Sequence, residues 1–264
     1  MPINDELGRR MKENYENRSK TSLIRRMPVA IRIDGKAFHT FTRGFQRPFD
    51  ELLMESMKAT MLYLCRNIQG CAFGYTQSDE ITLILKDYEN LDTEAWFDYE
   101  VQKLCSISAS MATMAFNKAF SEAVHKYEEE VFASDQRSTE EEKLVYTYRR
   151  AAERGAMFDA RCFNIPIEEV TNLLYWRQLD AARNSIQMLA QANFPHKELQ
   201  GLNTSQLQDK LMNEKCINWN DLPLYKKRGA CCVKRYIVGW FVDNFIPLFK
   251  GDGREYVERF IRME

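Results

Sequence analysis

Apolar positions along this chain alternate between two spacings. Leu7, Met11 and Tyr15 recur every four residues with charges between them, which predicts a helix over residues 3–26. Val29-Ala30-Ile31-Arg32-Ile33 is a β-branched run ahead of Asp34-Gly35, and predicts a short strand ending there. Residues 36–49 lose periodicity and mix aromatic with basic side chains, a loop punctuated by Gly44 and Pro48. Asp50 is placed to cap a helix. Its stripe is Leu53, Met57, Met61, Leu64 and Ile68, and Gly70 ends it. Two β-type runs, 71–75 and 81–85, flank Thr76-Gln77-Ser78-Asp79-Glu80 and predict a hairpin.

Residues 93–133 predict a long helix. Its small residues, from Ser106 to Ala115, favour close packing against the sheet or a partner subunit. The acidic stretch 126–143 predicts a solvated helix end and loop. Residues 162–165 predict a strand stopped by Pro166. A helix over 168–193 follows, with Trp176, Leu179, Ile186 and Leu189 facing inward, and a shorter helix lies near 204–215. Residues 221–229 predict a basic turn, 231–241 a strand, and the chain from Asp243 an irregular or weakly helical end. The order strand, helix, hairpin, helix, strand predicts an α+β fold. Its antiparallel sheet is ferredoxin-like with helices on one face and a helical C-terminal extension. Residues 1–135 would hold most of the core. Residues 136–264 would complete the sheet and add the extension within the same compact domain.

Composition narrows the options. Of 264 residues 45% are apolar, enough for a sizeable core. The net charge of −1 means that any nucleic-acid binding must come from local basic patches. Seven cysteines, none in a Cys-x-x-Cys pair, fit buried reduced thiols in a cytoplasmic protein. Three histidines, His39, His125 and His196, exclude a histidine-rich metal site. No apolar stretch approaches the ~18 residues of a membrane span, and no signal peptide is seen.

Two breaks carry candidate chemistry. An isolated Asp34-Gly35 after a strand is usually only a turn. Here Gly35 lets the backbone approach a ligand, and the amides of residues 36–39 could form an anion-binding nest. Ser78-Asp79-Glu80 is by itself an ordinary polar hairpin turn. If the first strand pairs beside the hairpin, Asp34 and Asp79 come together as hard oxygen ligands, suited to magnesium and to phosphoryl or nucleotidyl transfer. Lys36, Arg43 and Arg47 would balance a triphosphate, and His39 could hydrogen-bond phosphate. Tyr225-Lys226-Lys227-Arg228 is a basic cluster beside an aromatic, either a solvated turn or a phosphate contact.

Ile33-Asp34-Gly35-Lys36-Ala37-Phe38-His39, Arg47-Pro48-x-Asp50 and Gln77-Ser78-Asp79-Glu80 resemble the tRNA-His guanylyltransferase family. So do Trp176-Arg177-Gln178-x-Asp180 and the run Leu222-Pro223-Leu224-Tyr225-Lys226-Lys227-x-Gly229. The resemblance implies a polymerase-palm-like core that adds nucleotides to a tRNA 5′ end in the 3′–5′ direction. ATP would first adenylylate the 5′ phosphate. Asp34, the Gly35 carbonyl and Asp79 would hold two Mg²⁺ ions, with Asp34 and Asp79 catalytic. Residues Asp34, Gly35, Lys36, Ala37, Phe38, His39, Arg47, Asp50, Ser78 and Asp79 would bind the nucleotide, GTP or another triphosphate. Arg177, Asn184, Lys226, Lys227 and Arg228 would contact tRNA, and a homotetramer is expected.

One departure shifts the expected substrate. Where eukaryotic-type members carry His-Ile-Asn-Asn, this chain has Ala182-Arg183-Asn184-Ser185. That resembles the guanylyltransferase-like branch that repairs 5′-truncated tRNA by templated addition. The alternatives are addition of a single G at position −1, or a palm-type cyclase or 5′–3′ polymerase. The latter's Gly-Gly-Asp-Glu/Phe-type turn is absent.

Overall fold

The computed structural model describes residues 6–262. The helix α1 spans Glu6–Asn14 and is followed by a single 3₁₀ turn; the predicted start at residues 3–5 lies outside the described residues. Strand β1 (Val29–Gly35) runs two residues past its predicted end. A one-turn helix α2 (Phe38–Phe41) interrupts the following loop, and α3 (Glu51–Asn67) starts on the expected cap, the Asp50 carboxylate accepting from Leu53 N–H at 2.9 Å. β2 (Cys71–Gln77) and β3 (Glu80–Leu85) form the hairpin around Ser78-Asp79. Then come α4 (Val101–Ala133), α5 (Thr139–Arg154), β4 (Phe158–Asn164) and α6 (Ile167–Asn193). The chain ends with α7 (His196–Leu199), α8 (Thr204–Lys215), α9 (Leu224–Arg228), β5 (Ala230–Arg235), β6 (Gly239–Asp243) and α10 (Glu255–Ile261).

All strands pair antiparallel in one sheet of order β4-β1-β3-β2-β5-β6. The first four are the ferredoxin-like arrangement, and the β5–β6 hairpin widens it at the β2 edge. Strands from both halves of the sequence share this sheet. Val29, Ala30 and Ile31 are all fully buried, so β1 is covered on both faces over its first half. Val29, Ile31 and Ile33 pack in a cluster with α3 and α4. Ala30 packs in another with Val170 and Leu174 of α6 and Val257 and Ile261 of α10. Helices therefore cover both faces rather than one, and the C-terminal extension supplies part of the second layer.

Four local differences have physical causes. The acidic run conceals α5. Glu140, Glu141 and Glu142 occupy its first turn, where carboxylates complement the helix dipole. Ser138 and Glu141 form a reciprocal capping box. Residues 231–241 are two strands, because Tyr236, Ile237 and Val238 stand exposed at a hairpin tip. On α6, Ile186 and Leu189 face inward, but Trp176 and Leu179 are 52% and 44% exposed. Gln178 takes the inward place: its amide donates to Pro247 O (2.8 Å) and its Oε1 accepts from Phe249 N–H (3.0 Å). The C-terminal segment is anchored by buried Ile246, Phe249, Val257 and Ile261. All seven cysteines are free thiols.

Candidate active site

The carboxylate pair is positioned by strand register. Asp34 lies opposite Glu80 on β3 and Asp159 on β4. Gly35 N–H donates to Asp79 O (3.1 Å), tying β1 to the hairpin turn, and Lys36 N–H donates to Met157 O (2.8 Å). Ser78 holds a left-handed φ of 51°, and its hydroxyl donates to Asp79 Oδ1 (2.9 Å). Burial raises the Asp34 pKa above the ordinary carboxylate value. Asp79, Glu80 and Asp159 push it further and Arg161 opposes them. Burial also raises Asp79, with Glu80 adding to it, against the Ser78 hydroxyl and the backbone amide.

Glu80 is already neutralised. Arg32 binds it through Nη2 at 2.8 Å, and Arg177 Nε approaches its Oε1 at 2.8 Å, an ion pair without the alignment of a hydrogen bond. The negative charge left for a ligand thus falls on Asp79 and on Asp34, which Arg161, paired with Asp159, offsets only in part. Both present hard oxygen, the donor type that suits magnesium. Among the described residues no group of three His, Cys, Asp or Glu side chains could hold a metal by itself. An ion bound here would complete its shell from phosphate and water.

Beside the pair opens a cleft of about 660 Å³, lined by Gly35, Ala37, His39, Arg43, Arg47 and Ser78 among others. Its size suits a nucleotide. The loop forming its wall is held by aromatic packing beneath it. Phe38 and Phe41 are 5% exposed and Phe45 7%, and their rings stack among Phe116, Phe120, Tyr148 and Phe158 at centroid distances of 4.9–5.7 Å. Phe38 therefore offers a ligand only backbone. A Cβ on Gly35 would lie 2.2 Å from that ring, so glycine is required where strand meets loop. Lys36, His39 and Arg47 are exposed. Asp50 lines the cleft, yet its carboxylate is engaged inward: it accepts from Gln46 N–H (2.9 Å), Leu53 N–H (2.9 Å) and the Tyr148 hydroxyl (2.6 Å).

The residues expected to touch tRNA separate. Asn184 lines a small apolar hollow of about 100 Å³ that adjoins the cleft through Asp50, Ser78 and Met188. Arg228 is half-buried on α9. Lys226 pairs with Glu51. Lys227 is 7% exposed and donates to Asn220 O, beside the Trp219 ring. Arg177 is 5% exposed and bound by Glu80 and Asp180. Their charges are spent within the fold. Met188 and Gln191, which carry no motif in the sequence, also line the cleft. They share a face of α6 with Asn184 at helical spacing, a signal masked by the apolar stripe that Trp176 and Leu179 suggest.

A family model for tRNAHis guanylyltransferase matches residues 8–166. The chain belongs to the tRNAHis guanylyltransferase family. It is a nucleotidyltransferase. A bacterial tRNA(His) guanylyltransferase-like protein in complex with ATP is 44% identical, with a TM-score of 0.83 over 98% of this chain and 100% of that one. Another such bacterial structure, in complex with GTP, is 40% identical with a TM-score of 0.78 and the same coverage. A protein of Acanthamoeba polyphaga mimivirus is 29% identical over 92% of this chain and 82% of its own length. No described helix is long and apolar enough to cross a membrane.

Proposed function

We propose that this chain repairs 5′-truncated tRNA, adding nucleotides in the 3′–5′ direction as the opposing strand dictates. The observation that carries the reading is the pair Asp34–Asp79. Asp79 and the neighbouring Gly35 line a nucleotide-sized cleft, and only Arg161, itself paired with Asp159, offsets the charge on Asp34. Likeness to guanylyltransferase-like structures holding ATP and GTP supports those nucleotides as ligands of this cleft.

In this reading ATP adenylylates the tRNA 5′ phosphate and releases pyrophosphate. The 3′-hydroxyl of an incoming nucleoside triphosphate then attacks that phosphate and AMP leaves. Asp34 and Asp79, with the Gly35 carbonyl, would hold two Mg²⁺ ions, which supply charge neutralisation at the transferring phosphate. Lys36, Arg43, Arg47 and His39 would balance the triphosphate along the exposed loop. Asp50 shapes the wall by fixing Gln46 and the start of α3, rather than by touching substrate with a spare oxygen. Asn184 and Arg228, both half-buried, would be the tRNA contacts. A homotetramer in the cytoplasm belongs to the same reading, and light scattering tests the assembly.

The test offers 5′-monophosphorylated tRNA lacking its first nucleotide, with ATP, Mg²⁺ and all four nucleoside triphosphates. ATP-dependent 5′ extension matching the opposing base is expected, and Asp79→Ala abolishes it. Addition of only a single G to full-length tRNA-His would replace repair by the −1 reaction. Growth at the 3′ end or a cyclic product would overturn the assignment.

A further inference from the structure

A second cleft lies at the opposite end of the sheet from the carboxylates. Its volume is about 670 Å³. It is built where β2 begins, β3 and β5 end, β6 begins and α10 closes over them. Lys86 follows β3 directly, seven residues beyond Asp79, so strand rise puts it roughly 20 Å from the carboxylate pair.

Its lining is chemically distinctive. Lys86, Lys234, Arg259 and Arg262 converge on it against one lining carboxylate, Glu89. Lys86 pairs with Glu89 at 3.2 Å, and Arg262 with Glu258 at 3.0 Å. Lys234 and Arg259 are exposed, the latter stacked on Phe260 at 4.9 Å from its ring centre. Four cations from three parts of the fold, the end of β3, the end of β5 and the last turn of α10, are a concentration of charge that a chain of net charge −1 does not produce uniformly. Ring faces interleave with them: Trp240 is half-buried in the cleft wall and Tyr236 stands wholly exposed at the hairpin tip. Cations for phosphate beside rings for base or sugar are the recognition chemistry of nucleic acid. The ring and cation pattern favours RNA over an apolar protein face.

We propose that this cleft binds a phosphate-bearing stretch of the tRNA body, a second anchor remote from the reacting 5′ end. The inference rests on the proposed tRNA substrate. An extended polyanion held at both points is restrained in direction along the sheet, so its 5′ end meets the carboxylates in one orientation.

The experiment compares wild type with Lys234→Glu/Arg259→Glu and with Tyr236→Ala, none of which touches the carboxylate cleft. Binding of radiolabelled truncated tRNA is measured across salt concentrations, with ATP binding and molar mass by light scattering in parallel. The expected result is tRNA affinity at least tenfold weaker for the double variant. Its salt slope should fall by roughly two, with ATP affinity and mass unchanged. Tyr236→Ala should weaken tRNA severalfold without altering the slope. Unchanged tRNA affinity in both variants, while wild type binds and extends tRNA, would overturn the inference and leave the proposed function standing. A changed mass would identify the face as a subunit contact and also overturn it. Wild type that neither binds nor extends tRNA would remove the proposed function itself.

Discussion

Arg177 Nε lies 2.8 Å from Glu80 Oε1, and both side chains are almost wholly buried, at 7% and 8% exposure. Helix α6 thereby reaches the residue beside Asp79 and across the strand from Asp34. Arg32 donates to both Glu80 oxygens, at 2.8 and 3.3 Å, and the Trp176 ring stacks beside both guanidiniums at 5.3 and 4.4 Å. Two acids that look equivalent in sequence, Asp79 and Glu80, thus do different work. One is left for a ligand and the other is locked into the fold.

Arg177→Met removes one of these partners and leaves Asp180 and Glu80 facing an apolar chain. Breaking a buried pair from one side costs about 3 kcal/mol. The expected outcome is a lower melting temperature in thermal denaturation. Arg177→Lys should recover only part of it, because one ammonium cannot reproduce the fork between Glu80 and Asp180. A variant as stable as wild type would show that Arg32 suffices.

Asp50 joins three elements through one carboxylate. Asp50→Ala loses the cap of α3, the Gln46 bond and the Tyr148 partner together, and leaves a buried hydroxyl unpaired. Unfolding in urea should show a loss of about 3 kcal/mol. Asp50→Asn keeps an oxygen for the cap and should lose roughly 1 kcal/mol. ATP affinity should fall in the alanine variant, since the cleft wall is no longer fixed.

The position of this site in the fold was more legible than the fate of its charges. Asp34-Gly35 and Ser78-Asp79 announce themselves because turns after β-branched runs leave few alternatives, and strand pairing then brings them together. The cap at Asp50 followed from residue type and position. What sequence concealed was the fate of charge. Arg177 and Lys227 look like RNA ligands along the chain, but three-dimensional neighbours, Glu80 and Asn220, consume them. Helix α5 was hidden by its acids, although Ser138-x-x-Glu141 is a capping signature. The β5–β6 hairpin was hidden by its apolar tip, since Tyr236-Ile237-Val238 reads as strand interior until the turn places it in solvent.

Gly229 joins α9 to β5 at φ +77°, and a Cβ there would lie 2.3 Å from Thr76 O and 3.0 Å from the Tyr75 hydroxyl. Both neighbours belong to β2, and the Tyr75 hydroxyl donates to Arg228 O at 2.6 Å. Gly229→Ala must therefore strain the backbone and push β5 from β2. The cost should be about 2 kcal/mol or more, read as a lowered denaturation midpoint. Gly201, at φ +78° with nothing near its absent side chain, serves as the comparison. Gly201→Ala isolates the conformational cost, and should be the milder of the two.

Asp79→Asn separates catalysis from folding through pH. The native pKa of Asp79 is raised above 3.8, chiefly by burial. Below that value the carboxyl is protonated in both folded and unfolded chains, so its ionisation costs folding nothing. As pH rises through the window between 3.8 and the raised native value, the unfolded chain ionises first, and the folded chain loses stability relative to it. Above the window that loss is complete. Asparagine keeps an oxygen for the Ser78 hydroxyl but carries no charge, and also relieves Asp34 of one neighbour. The variant should therefore melt above wild type at pH 7, with the gap closing as pH falls toward 3.8. Millimolar Mg²⁺ with ATP should raise the melting temperature of wild type and leave the variant nearly unmoved. Nucleotide addition should drop on the order of a thousandfold. A variant that gains no stability at pH 7 would mean the wild-type pair is not strained by its own charge.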